Sequence, residues 1–172
     1  ENPLNDAVEK TKKRMANQLN YFEQTRNEDV FNIFMNSIAS IYGPHTSYMS
    51  PKNSEDFDIN MSLSLEGIGA LLSSDGLYTT ISSLVPGGPA EKGESLEPKD
   101  RIIGVGQDEK GEIIDVVGWR IDDVVNLIRG PKGSKVRLQI IPSTSLNDTE
   151  TKEVEIIRNV VKLEDQAAEK KI

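Results

Sequence analysis

The chain has 172 residues, 36% of them apolar and 28% charged, with 28 acidic against 20 basic side chains and a formal net charge of −8. That balance excludes a nucleic-acid surface of the usual kind, which needs clustered basic side chains. There is no cysteine, so disulfides, thiolate metal sites and cysteine nucleophiles are excluded, and the composition suits a bacterial envelope protein.

The first predicted elements are helical. Asn2 and Pro3 suit an N-cap and a first helical position. Leu4, Val8, Met15, Leu19 and Phe22 follow at helical spacing, with Glu9, Lys10, Lys12, Lys13 and Arg14 on the opposite face. A second helix starts at Asn27. Glu28 and Asp29 lie in its first turn, where negative charge meets the positive end of the helix dipole. Phe31, Phe34, Ile38 and Ile41 form its apolar stripe, and Gly43-Pro44 ends it. Residues 3–42 therefore read as two helices. Residues 43–60, with Pro44, Pro51 and several Ser and Asn, read as irregular. No run is apolar and long enough to cross a membrane, and no signal peptide is present. Glu1 in place of methionine is expected of a processed product or an excised fragment.

After residue 60 the texture changes to short β-type runs. Ile68–Ser73 and Leu77–Leu84 flank the turn signal Ser74-Asp75-Gly76. Val85 to Ala90 is a Pro/Gly loop that enters a short helix through Lys92. Arg101–Val105 is a strand. Ile121, Val124, Val125 and Ile128 mark a short amphipathic helix closed by Gly130-Pro131. Lys135–Ile141 and Thr151–Ile157 alternate as half-buried strands, with a loop over Ser143–Asp148 between them. Glu164–Lys171 reads as a polar frayed helix or linker.

The most informative stretch is Leu65-Glu66-Gly67-Ile68-Gly69-Ala70-Leu71-Leu72. Two glycines bracket one apolar residue directly before a strand. Such a loop can turn several backbone N–H groups toward one point and make a nest for an anion such as a peptide carboxylate. A plain tight turn before a strand is the competing reading.

Several separate segments resemble one family. Gly67-Ile68-Gly69-Ala70 is similar to the carboxylate-binding loop of PDZ domains. Leu96-Glu97-Pro98-Lys99-Asp100-Arg101-Ile102 resembles their Leu-x-x-Gly-Asp-x-Ile segment, and Asp122 to Val136 resembles the flanking helix and following strand of bacterial members. Gly43 to Pro51 is similar to a linker that precedes the PDZ domain of tail-specific (C-terminal processing) serine peptidases, and Met61–Gly69 and Val161–Asp165 extend that likeness. Two positions depart from the pattern: Lys99 stands where the PDZ motif has Gly, and Gly43 where the linker has Asp.

The resemblance implies an α+β fold: a permuted bacterial PDZ domain, a small antiparallel β-barrel or sandwich with a short and a longer flanking helix, after an N-terminal helical arm. The implied division is 1–60 arm and linker, 61–160 PDZ domain, and 161–172 linker toward a protease domain. It implies a peptide groove lined by Gly67, Ile68, Gly69, Ala70, Leu71, Leu72, Ile121, Val125 and Ile128, the pair Ile121 and Val125 serving either core or groove. The implied partners are the C-terminal tails of unfolded or tagged proteins and the protease domain of the same polypeptide, in the bacterial periplasm, with the inner-membrane surface as one option. No cofactor, metal or nucleic acid is implied. The family's serine and lysine would follow residue 172, so no catalytic residue is carried onto this chain. A free-standing PDZ adaptor and a PDZ module following a trypsin-like domain stay open as alternatives.

Other residues have blander readings. His45, the only histidine, sits in a Pro-containing linker away from any nucleophile motif. Asp122 and Asp123 suit a helix first turn rather than acid–base work. Ser134 between Lys132 and Lys135 is a poor Ser/Lys dyad, since neighbouring strand side chains face apart. Asn147-Asp148-Thr149 is a sequon without consequence in bacteria, and Trp119 is expected to pack at the start of its helix.

Overall fold

A computed structural model describes residues 22–62, 64–145 and 150–162, together with 8, 11, 12, 14–16, 18 and 19. The chain forms two compact units, Glu1–Asp58 and Ile59–Ile172. The Asn2-Pro3 start, the sequon and the tail from 164 lie outside the described residues.

In the first unit, the described positions of the first predicted helix are helical. Helix α1 spans Asn27–Tyr42. Asp29 caps it by accepting the Arg26 backbone N–H at 2.9 Å, one of the orphan donors at a helix start. None of its side chains is buried. The segment after Gly43 folds back on α1. Asn36 exchanges two hydrogen bonds with the Tyr48 backbone, donating to its C=O at 3.1 Å and accepting its N–H at 2.9 Å. Phe31 meets the Tyr48 ring edge-on at 5.8 Å.

The expected irregular stretch 43–60 contains a helix, α2, over Pro51–Ser62. The signals taken for a loop are its start. Pro51 occupies the first helical position, where a missing N–H costs nothing. Ser50 receives the Asn53 N–H on Oγ and the Ser54 N–H on its carbonyl, at 3.3 and 2.9 Å.

Among its described residues, the second unit holds eight strands and two further helices. Strand β1 (Ser64–Gly67) pairs antiparallel with β8 (Asn159–Lys162) as a two-stranded ribbon, in the register Gly67↔Asn159. The main sheet runs β2 (Ala70–Asp75), β3 (Tyr78–Leu84), β4 (Arg101–Gln107), β6 (Lys135–Ile141) and β7 (Lys152–Ile157), with β5 (Ile113–Asp115) paired to β4. All pairings are antiparallel, as expected, but the sheets do not close into a barrel. Among the described strands, β2 and β7 are the edges of this sheet. Helix α3 covers Pro89–Lys92 and α4 covers Ile121–Ile128.

The core follows from period-2 alternation. In β6, Val136, Leu138 and Ile140 are buried against Ile81, Ile102, Val105, Val124 and Val154. Lys135 and Arg137 on the other face pair with Glu109, Glu155 and Glu153. The turn that lacks the family glycine adopts the glycine conformation all the same, with Lys99 at φ 75°. It is held there by its N–H donating to the Ile81 C=O at 2.7 Å. The next residue, buried Asp100, accepts the N–H groups of Glu97 and Ser143, each at 2.8 Å.

Candidate binding cleft

A cleft of about 160 Å³ opens beside the Gly-x-Gly segment. Its walls are the loop Gly67-Ile68-Gly69, the start of β2 and the C-terminal half of α4. Ile68 and Gly69 lie between β1 and β2 rather than in a strand. Gly69 has φ +74°, a region that side chains with a Cβ enter at a cost of about 1–2 kcal/mol. A Cβ there would also sit 3.1 Å from the Gly88 Cα. Both facts favour glycine at this position.

The loop carbonyls are turned into the protein. The Ile68 C=O accepts the Ala90 N–H at 2.8 Å, and the Gly69 C=O accepts the Val85 N–H at 2.9 Å. Among the described residues, no hydrogen bond uses the N–H of Ile68 or of Gly69. Ala70 faces Leu84 across the β2–β3 ladder, next to the Val85-to-Gly69 bond. That marks a non-hydrogen-bonded pair, whose own N–H and C=O point away from the partner strand. Ala70 therefore presents its backbone to the open edge of β2. A β-bulge between Leu71 and Leu72 follows, which adds twist at this edge.

Eight of the nine residues singled out from the sequence meet around the cleft: Gly67, Ile68, Gly69, Ala70, Leu71, Leu72, Val125 and Ile128. Ile121 does not line it; it sits in the first turn of α4, at the other end of the helix. Ile68 and Ile128 belong to the buried core as well, so cleft floor and core are one packing unit. Leu65, Val85 and Arg129 also line the cleft, and sequence reading did not select them. Leu65 lies on β1, a strand too short to predict. Arg129 directly follows the last apolar residue of α4, and its Cγ lies 3.9 Å from where a Gly67 Cβ would stand. Its alkyl stem thus lies beside the loop.

The remaining candidates fall to structural roles. Ser134 donates to the Pro131 C=O at 2.6 Å. The Lys132 backbone N–H donates to the Glu66 carboxylate at 3.1 Å. Asp122 and Asp123 occupy the first turn of α4. Trp119 precedes that helix and is 43% exposed, more open than a packing role predicts.

Residues 56–141 match the family model described as PDZ domain, and residues 1–52 match the tail specific protease N-terminal domain. The chain belongs to the PDZ family. A tail-specific-protease N-terminal domain precedes its PDZ domain. The tail-specific protease of Haemophilus influenzae is 45% identical over 159 residues, covering 92% of this chain and 22% of that protein. The carboxy-terminal processing protease CtpA of Bacillus subtilis is 33% identical, covering 80% of this chain and 27% of that protein. The crystal structure of the PDZ domain of a carboxy-terminal protease from Vibrio cholerae, in complex with peptide, is 54% identical with a TM-score of 0.55. It covers 59% of this chain and all of that one. The chain thus spans about a quarter of the length of the curated relatives it matches.

Proposed function

We propose that the cleft captures the C-terminal tail of a protein chain with an apolar last residue. The observation that carries this reading is the loop between β1 and β2, whose carbonyls are engaged inward and whose Ile68 and Gly69 amides are not, lining an apolar cleft beside an open strand edge. Those amides, with Ala70, would donate to the tail carboxylate, and Arg129 would add a positive charge beside it. The tail would pair with β2 as an added strand. The terminal side chain would lie against Ile68, Leu72, Val125 and Ile128. Peptide pockets for drug-sized ligands run to several hundred Å³, so a cleft of 160 Å³ suits one terminal side chain. With so short a groove, affinity would be on the order of micromolar, near −8 kcal/mol, weak enough for release.

On the same reading the chain is the substrate-sensing and regulatory part of a tail-specific serine endopeptidase in the bacterial periplasm. The names of its relatives and the N-terminal-domain match support this over a free-standing adaptor. The exposed stripe of α1, including Phe34 and Ile41, would face the protease domain of the same polypeptide.

The test is calorimetric titration with a peptide ending in Leu-Ala-Ala, beside the same peptide amidated at its C-terminus. The free acid should bind and the amide should not. Gly69→Val, which closes the loop against Gly88, should weaken binding at least about tenfold, since a hydrogen bond to a charged group is worth about 1.5–3 kcal/mol. Equal binding of acid and amide would overturn carboxylate capture.

A further inference from the structure

Arg158, between β7 and β8, is 3% exposed. Its guanidinium carries five N–H donors, and each has an acceptor. Nε donates to the Ile128 C=O at 2.8 Å. One terminal nitrogen donates to Ser134 Oγ at 2.9 Å and to the Lys135 C=O at 3.2 Å. The other donates to Gln107 Oε1 at 2.6 Å and to the Leu127 C=O at 3.1 Å. Gln107 in turn donates to the same Leu127 carbonyl at 2.8 Å. Every acceptor is neutral. Burial pulls the guanidinium below its ordinary pKa, and Asp108 partly opposes this. A charge buried among neutral acceptors carries a desolvation cost that its hydrogen bonds must offset.

Two of its acceptors, the carbonyls of Leu127 and Ile128, belong to the last turn of α4, where no intrahelical partner exists. That turn is one wall of the cleft. The other wall is the Gly67–Gly69 loop, and its stem β1 is registered on β8 through Gly67↔Asn159, one residue on from Arg158. Both walls are thus referenced to one point of the backbone. The Arg158 main chain is fixed in turn, donating to the Ser134 C=O at 2.9 Å and accepting the Gly133 N–H at 2.8 Å. Gly130 lies against the guanidinium so closely that a Cβ would stand 3.0 Å from Nε.

We propose that Arg158 is a positioning residue that sets the width of the cleft, and thereby which apolar side chains the tail's last position admits. This rests on the tail-capture reading above. Lysine cannot replace it: an ammonium has three donors and no planar fork to span two carbonyls and an amide.

The experiment compares this chain with Arg158→Lys and Gln107→Ala, using two free-acid peptides identical except for a terminal Ala or Phe. The parent should discriminate between the two by about tenfold or more, as a well-defined apolar pocket does. In Arg158→Lys that ratio should fall to about twofold. Gln107→Ala keeps the guanidinium but loses one acceptor and one helix tie, and should give an intermediate ratio. If Arg158→Lys does not fold, Gln107→Ala decides alone. A folded variant that weakens both peptides equally, at an unchanged ratio, would make Arg158 merely structural and overturn the proposal. So would a parent that binds both peptides equally well. A parent that binds neither peptide defeats tail capture itself, and the width proposal with it.

Discussion

Two helices with the same kind of sequence pattern end in different surroundings. In α4, eight residues long, Val124 is fully buried and Ile128 nearly so. In α1, sixteen residues long, no side chain is buried, and Phe34 and Ile41 are 58% and 80% exposed. The stripe of α4 lies on the sheet of its own unit. The stripe of α1 has the Tyr48 segment beside it, and its large side chains stay exposed. An amphipathic pattern states that a face needs cover; it does not state what covers it. Stability of this chain should therefore reside in the β unit, with α1 following rather than leading.

Paired truncations test that division most directly. Val124→Ala removes two buried carbons and leaves a cavity, and should cost about 2–3 kcal/mol in urea denaturation. Phe34→Ala should stay within about 0.5 kcal/mol, as surface changes do. A loss above about 1 kcal/mol at Phe34 would break the comparison and show that something covers α1 in solution.

A ligand sharpens it next. Tail peptide at about ten times its Kd should stabilise the β unit by about 1.4 kcal/mol, from RT ln(1 + [L]/Kd). Hydrogen exchange should slow in α4 and β2 and stay unchanged in α1. Equal slowing in both helices would mean that they share one cooperative unit.

Much of the β unit was legible from the sequence because its signals are local. β6 alternates, so Val136, Leu138 and Ile140 declare one face and Lys135 and Arg137 the other. α4 carries its stripe between two acidic residues and a Gly-Pro stop. The Gly67-Ile68-Gly69 loop was legible because glycine spacing records a backbone requirement, and the structure shows that requirement as φ +74° at Gly69. What escaped depends on length or on distance. β1, β5 and β8 have three or four residues each, too few for a period to show. α2 was hidden because Ser50, Pro51 and Asn53 are loop residues by composition and a helix start by position. Arg158 is one basic residue beside a strand. Its role comes from acceptors 23 to 51 positions away along the chain, which no window of sequence contains.

Lys99 offers a smaller test on the same side of the comparison. It is held at φ 75° where the family pattern has glycine. Lys99→Gly removes the Cβ clash of that region but makes the unfolded chain more flexible. The net gain should be about 0.5–1 kcal/mol, confined to the β unit. A neutral or destabilising result would mean that the Lys99 side chain contributes contacts worth as much as the strain.

The smallest expected effect lies on the outer face of β6, where Lys135 sits 2.6 Å from Glu109 and 3.2 Å from Glu155. The hydrogen bond from Lys135, followed by its charge, holds the Glu109 carboxyl below its ordinary pKa. The stability that this adds is present above the carboxylate range and is lost as pH falls through it. The Lys135 ammonium is held above its ordinary value, first by its hydrogen bond to Glu109 and then by that to Glu155. Its contribution is present below the ordinary lysine range and is lost as pH rises through the raised value. The pair should therefore add a shallow plateau between the acid and alkaline limits, lowered by salt because both groups are solvated. Lys135→Met should flatten the urea midpoint at both ends of the pH profile while leaving α1 helicity untouched. An unchanged profile would show that solvent already screens these ions.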